Sequence, residues 1–398
     1  MAALGARQEV AVDDGEVDGL SGALRHVQLL EVTVNQPHIV RFATSTVAGV
    51  AVHERRLGDR RPLGEPDAML PTQFDALPMW SWSHRAPWQI LESDEESWLV
   101  ALDEESGTVD LRTFPGGEEV ARVPHASSFE SARLRDGSIE VLLRNGEEVD
   151  LVAIDPAART VARTTLVDLD LPFAAACFVE SGPRSDVPRS AFVVTYEDTE
   201  LVTYRLDLAE GGVQRVPTGV IGGGRALRLV ARRSGKLDLV AIGTPMFDGD
   251  WGRVVVVSIG AGGRVGDSRL LHPLGQPDDG MPGVEWTMQY GQALAFTADA
   301  DEDGHPDLAV GASYGPSEHV DIVSWVSGES LARVTSRSEF GRHRIGSSVS
   351  ASPCGRYVLS AGGQASYPEV FRTSGAALLL DLERDGDPVV TSFVAPGR

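Results

Sequence analysis

Apolar residues along this chain come in short bursts. Runs of about four to eight residues rich in Val, Leu, Ile, Phe and Tyr are broken by Gly, Pro, Asp and Asn. Ser138–Ile139–Glu140–Val141–Leu142–Leu143 reaches Asn145–Gly146, and Glu148–Val149–Asp150–Leu151–Val152–Ala153–Ile154 then runs to Asp155–Pro156. Strand side chains alternate between faces, and Asn-Gly suits the positive φ of a tight turn, so this stretch predicts a hairpin. No segment of ten or more residues carries a convincing helical period. The pattern predicts an all-β protein.

The bursts group into seven clusters of three or four strands. The first holds strands near 27–32, 38–46 and 49–57. The others run from Trp80 to Val123, Phe129 to Val167, Phe173 to Val216, Arg225 to Leu271, Glu285 to Val334 and Ile345 to Val394. A period of about 40–60 residues is that of propeller blades, which leave only short strand edges exposed. Two β-sandwiches would need fewer, longer strands and a linker, and no Pro/Ser-rich linker interrupts the middle. The expectation is one β-propeller of about seven four-stranded blades over residues 21–398. Residues 1–20, acidic and Gly-rich, are either a tail or an outer strand that helps close the ring.

Length and composition agree with this. The chain has 398 residues, of which 42 % are hydrophobic and 23 % charged, enough for a large core, and its 43 glycines suit many tight turns. Charge narrows the partners. The net charge is −23, and Lys236 is the only lysine. Nucleic acid and anionic membranes need a basic patch, and the scattered arginines supply none. No run of about eighteen apolar residues predicts a membrane span. Met1 to Val10 lacks the apolar core of a signal peptide, so the expected location is cytoplasmic, or extracellular or periplasmic if the start is truncated. Cys177 and Cys354 form no metal spacing. They read as two buried thiols, with one long-range disulfide as the alternative.

The most specific stretch is Asp299–Ala300–Asp301–Glu302–Asp303–Gly304–His305–Pro306–Asp307. Carboxylates at positions 1, 3, 5 and 9 of a tight loop can converge on calcium, a hard cation that takes six to eight oxygens. Gly304 permits the sharp turn, and His305 would offer its main-chain carbonyl. An EF-hand requires Glu at position 12 and flanking helices, whereas Val310 stands there, inside a strand-like run. The alternative is an acidic turn that binds nothing, at the cost of mutual repulsion among four aspartates.

With Tyr290–Gly291–Gln292–Ala293–Leu294 before it and Gly311–Ala312–Ser313 after it, this loop resembles an FG-GAP repeat. That is the blade type of integrin α-chain propellers and many bacterial proteins. Tyr290 stands where the family usually has Phe, and Ser313 where it has Pro. The segment from Gly235 to Pro245 and the stretches Phe340–Gly341, Ile345–Val349 and Cys354–Gly363 resemble degenerate copies without the carboxylate ladder. The last also resembles turns of WD40-like propellers. The resemblance covers about residues 222–395. It implies one calcium site, built by Asp299, Asp301, Asp303, Asp307 and the His305 carbonyl, that stiffens a blade and is not catalytic.

Other signals weigh less. Gly311–Ala312–Ser313–Tyr314–Gly315, with Asp321 and His343 following in order, mimics a hydrolase elbow, but that motif needs a strand–turn–helix and a strand-like run follows instead. A phosphate loop is excluded because Val230 stands where its first glycine would be and Leu237 follows Lys236. His319 and Asp321 read as a satisfied or solvent-facing pair. Trp80 and Trp82, with Trp88 nearby, read as packing between blades, or as a stacking platform. Acidic clusters at 92–96, 103–105 and 147–150 read as solvated turns. The leading expectation is a calcium-stabilised, monomeric binding scaffold for a protein or glycan. A propeller enzyme (lyase or hydrolase) with a channel site and an intracellular WD40-like interaction platform are the alternatives.

Overall fold

In the computed structural model the hairpin centred on Gly146 forms as its sequence predicts. Asn145 pairs with Glu148, and Gly146 takes φ of 64°. The structure describes residues 7–11, 27–33, 39–46, 49–56, 67–71, 88–93, 96–103, 106–168, 173–180, 189–197, 200–221, 228–245, 252–271, 289–313, 318–337, 345–352, 354–362, 376–382 and 389–394.

These residues build seven four-stranded antiparallel blades from consecutive strands. After β1 (Arg7–Ala11), blade one holds β2–β5 (Val27–Thr33, Ile39–Thr46, Gly49–Arg56, Ala68–Pro71). Blade two holds β6–β9 (Trp88–Glu92, Ser97–Asp103, Thr108–Thr113, Glu119–Pro124), and blade three β10–β13 (Ser128–Arg135, Ser138–Asn145, Glu148–Asp155, Thr160–Asp168). Blade four holds β14–β17 (Phe173–Glu180, Ser190–Glu197, Glu200–Asp207, Val213–Ile221), and blade five β18–β21 (Arg228–Ser234, Leu237–Thr244, Arg253–Ile259, Val265–Leu271). Blade six holds β22–β25 (Ala293–Phe296, Leu308–Ala312, His319–Val323, Ser330–Arg337), and blade seven β26–β29 (Ser348–Ala351, Tyr357–Gly362, Ala376–Asp381, Val389–Val394). One 3-10 turn, Ala261–Gly263, is the helical piece among the described residues. None of their helices is long and apolar enough to cross a membrane. The short β5, missed in the sequence, is a four-residue run ending in proline.

The first strand of each blade touches the first strand of the next, and β26 returns to β2, so the ring closes. Apolar clusters fill the wedges. Ala43, Val50 and Val52 of blade one meet Trp88, Ile90 and Leu99 of blade two, while Phe192 and Val194 of blade four meet Val240 and Ile242 of blade five. Trp88 therefore packs between blades, whereas Trp80 and Trp82 lie outside the described residues.

Each seam also carries a polar tie at the inner rim. The Leu29 N–H donates to Ser350 Oγ (3.0 Å), Gln28 exchanges two bonds with the Ile90 backbone (2.7 and 2.8 Å), and the Ala132 N–H donates to Gln89 Oε1 (3.0 Å). Further round, the Ala176 N–H donates to Glu130 Oε2 (3.3 Å), Arg228 Nε to the Gln292 carbonyl (2.8 Å) and the Ala298 N–H to the Gly355 carbonyl (2.9 Å). At the remaining seam, β14 and β18 pair directly in parallel, Val179 with Ala231 and Glu180 with Arg232, joining blades four and five into one eight-stranded sheet. These bonds satisfy inner-edge groups that a blade alone would leave open.

Both faces of a blade are buried by its neighbours, so acidic residues at alternating positions end up inside. Glu140, on β11, takes Arg133 of its own blade and Arg189 of blade four. Asp238, on β19, takes Arg233 of its own blade and Arg205 of blade four (3.2 Å). Blade four is clamped on both sides by an arginine–carboxylate–arginine triad. Burial, then the charge of Arg135, pulls Arg133 down to about 10. Asp150, read in the sequence as part of a solvated turn, is buried and bound by Arg163 and by Thr165 Oγ1 (2.8 Å).

Candidate functional site

The aspartate loop joins β22 to β23 in blade six. Its neck is closed by the Thr297 N–H to the Asp307 carbonyl (2.8 Å) and the Asp307 N–H to the Ala298 carbonyl (3.3 Å). Inside, Asp299 folds the turn, its Oδ1 accepting from the Asp303 N–H (3.0 Å) and its Oδ2 from the Gly304 N–H (2.8 Å). Gly304 sits at φ of 91°, a conformation that strains any side-chain-bearing residue. The glycine at position 6 is there for that turn.

Carboxylate oxygens of Asp299, Asp301 and Asp307 all lie within 4.8 Å of one another. They are graded in exposure, with Asp301 exposed, Asp299 half-buried and Asp307 at 1 %. Asp307 Oδ2 accepts from the Ala300 N–H (2.7 Å), while its Oδ1 is buried without a hydrogen-bond partner. Burial pushes Asp307 up to about 8. The Ala300 bond opposes this, and the charges of Asp301, Asp303 and Asp299 add to it. A carboxylate that keeps one buried oxygen without a donor, grouped with two more carboxylates, fits a hard cation with oxygen ligands.

Asp303 stands outside that group of three. Its Oδ1 accepts from the His305 N–H (2.9 Å), and its Oδ2 lies 3.5 Å from Ser324 Oγ on the β24–β25 turn. The His305 ring packs edge-on against Trp325 (5.5 Å between centroids) and meets Ser234 Oγ of blade five (3.4 Å). On the other side Gly355 of blade seven approaches so closely that a Cβ there would sit 2.3 Å from the Ala298 nitrogen. The loop thus touches blades five, six and seven. Ser234, Ser324, Trp325 and Gly355 were not singled out in the sequence, because they reach the loop only through other turns and other blades.

The glycines of the repeat have a second role. A Cβ on Gly311 would lie 2.0 Å from the Gly346 carbonyl, and one on Gly243 would lie 2.2 Å from the Gly291 carbonyl. The same glycine-to-glycine approach locks blade five to six and blade six to seven.

The hydrolase-like residues do not assemble. Ser313 is buried and donates to Gln292 Oε1, and Asp321 is gripped by Arg333 through two bonds (2.5 and 2.6 Å) with His319 3.6 Å away. The pair His319 and Asp321 is fully buried. Tyr314, Gly315 and His343 lie outside the described residues. Cys177 and Cys354 are both free. Cys177 is buried, as expected, and Cys354 is exposed, because it sits on the turn before β27.

No family model matches this chain, and no curated protein does. Solved structures do. The chain is similar to the WD40 repeats of RRP9 (11 % identity, 96 % of this chain and 97 % of that one, TM-score 0.52). It is also similar to U3-55K (11 %, 96 % and 98 %, TM-score 0.51) and to the Dos1 propeller (10 %, 94 % and 85 %, TM-score 0.52). At these identities the likeness establishes the fold, a β-propeller.

Proposed function

We propose that this chain is a calcium-stabilised, non-catalytic β-propeller of the FG-GAP type that presents its loops to a protein partner or a glycan. The observation carrying this reading is buried Asp307, with Oδ1 unpartnered and its carboxylate grouped with those of Asp299 and Asp301, in a loop that touches three blades. Asp299, Asp301 and Asp307 would hold the ion, with Asp303 and the His305 carbonyl as the further ligands that the resemblance implies. The bound ion would offset the repulsion among these carboxylates and so hold the loop against Trp325, Ser234 and Gly355. The chain's own residues do the rest: a rigid ring positions loops, and loops on rigid scaffolds carry recognition.

A second reading, a metal-independent protein-interaction platform, is supported by the likeness to WD40 repeats. Thermal unfolding with excess calcium and with chelator, on the wild type and on Asp307→Asn, separates the two. Calcium at about a hundred times its dissociation constant adds roughly 2.7 kcal/mol to the wild type and much less to the variant. A wild type indifferent to calcium removes the first reading and leaves the second.

A further inference from the structure

Two residues of the aspartate loop reach out of it with their side chains, and both lead toward blade five. The His305 ring lies edge-on against Trp325, and Trp325 belongs to the apolar cluster that holds Leu239, Val254 and Leu271 of blade five. Asp303 leads there through a line of polar contacts. Ser324 is fully buried, and its hydroxyl accepts from the Ser327 N–H (3.2 Å), which leaves its single proton for Asp303 Oδ2 (3.5 Å). The same serine closes the β24–β25 turn, its carbonyl accepting from the Gly328 N–H (2.8 Å) and its N–H donating to the Glu329 carbonyl (3.0 Å). On that turn the Ser327 carbonyl accepts from Arg269 Nη1 of β21 (2.6 Å). Gly328 (φ 78°) lies so near this arginine that a Cβ there would sit 3.1 Å from Nη1. Asp303, Ser324, Ser327 and Arg269 thus form one line from the loop to the outer strand of blade five. The contact with blade seven is of another kind, since it is made by Ala298 in the neck, ahead of the first aspartate.

We propose that calcium in the aspartate loop governs the outer end of the seam between blades five and six, with Ser324 as the positioning residue that passes its effect from Asp303 to the β24–β25 turn and on to Arg269. The coupling presupposes that the loop holds calcium. Its physical basis is shared restraint. A bound ion fixes the loop from Asp299 to Asp307, and fixing Asp303 fixes the acceptor of a hydroxyl buried away from solvent, which is costly to leave unpaired. That hydroxyl in turn fixes the Ser327 amide, and Ser327 presents the carbonyl that Arg269 grips. Linkage runs both ways, so whatever the ion gives to the Arg269 contact, that contact returns to the ion as affinity. Calcium thereby sets the shape of one corner of the ring, where the β24–β25 turn of blade six meets β21 of blade five.

Calorimetric titration of calcium into the full chain tests this, on the wild type, Ser324→Ala, Arg269→Gln and the double variant. Arg269 is exposed on an outer strand, so its replacement leaves the fold intact. Arg269→Gln should weaken calcium binding about fivefold, and Ser324→Ala by as much or more. The sign is diagnostic, because removing a cation near a cation site would by charge alone tighten the ion. The double variant should lose no more than the larger single loss, since both changes cut one line. Amide hydrogen exchange supplies the reverse arm. Calcium should slow exchange at Ser327, Gly328 and Glu329 about tenfold in the wild type and much less in Ser324→Ala. A wild type that takes no calcium removes the site itself and the coupling with it. A wild type that takes calcium overturns the coupling alone, and leaves the site standing, if binding is unchanged or tighter in Arg269→Gln, if the two losses simply add, or if exchange in the turn is indifferent to calcium.

Discussion

Replacing Asp238 with asparagine probes how the ring holds blade four. Asp238 is buried on β19, its side chain 3 % exposed, between Arg233 at 15 % and Arg205 at 20 %. Arg205 Nε and Arg233 Nη2 are buried without partners, so the carboxylate is what answers these two guanidinium groups at the seam. Asp238→Asn keeps the volume and removes the charge, leaving two arginines facing each other in a poorly hydrated wedge. Removing one partner of a buried ion pair costs about 3–5 kcal/mol, against about 0–1 kcal/mol for an exposed pair. With an unfolding entropy of about 2.1 cal/mol/K per residue, that loss lowers the midpoint of this chain by about 4–6 °C. The assay is thermal unfolding at two salt concentrations, with the cycle completed by Arg205→Met and the double variant. Most of the loss should persist at high salt, and Arg205→Met should recover part of it in the Asp238→Asn background. A loss under about 1 kcal/mol, or one that vanishes in salt, refutes the claim that this triad is buried and works as a clamp.

Three further outcomes follow from described geometry. His53 is buried beside Phe42 and Thr44, and burial, then Arg55, pulls its imidazole down to about 4, with Asp67 opposing. The unfolded chain therefore takes this proton near pH 6.5 and the folded one only near 4. Stability is fully present above pH 6.5 and falls by roughly 3 kcal/mol as pH drops to 4, a slope that His53→Phe should flatten in denaturant titrations. Gly311→Ala drives a methyl into the Gly346 carbonyl and should cost about 3 kcal/mol or more, read as a lower urea midpoint; an unchanged midpoint would show the seam to be loose there. One thiol per native chain, that of exposed Cys354, should react with a disulfide reagent. Cys177, whose burial pushes its pKa up, should react only in denaturant, and two fast thiols in the native state would contradict its burial.

The propeller was legible because hairpin turns and short alternating runs repeat at blade spacing, as the stretch around Asn145–Gly146 shows. Alternation misleads in one respect. In a half-exposed sheet the polar set faces water, but a blade between neighbours has no outer face along its middle strands. Glu140 and Asp150 look like surface positions in the sequence and are buried ion-pair centres. The aspartate loop was legible from spacing alone, since its carboxylates are local. What surrounds it was not, since Trp325, Ser234 and Gly355 arrive from separate turns. The inner-rim ties were equally hidden, because Gln28, Gln89 and Ser350 carry no motif and gain meaning only from the neighbour the ring gives them.

The direct pairing of β14 with β18 bears on how the ring deforms. Seven separate wedges would share a deformation equally among seven joints. With blades four and five fused through main-chain bonds at the rim, six compliant joints remain, and the doubled blade turns as one stiff plate. The elasticity of the ring is therefore lopsided. Normal modes that dilate its central opening should pivot about this plate and concentrate their amplitude on the opposite arc, around blade one.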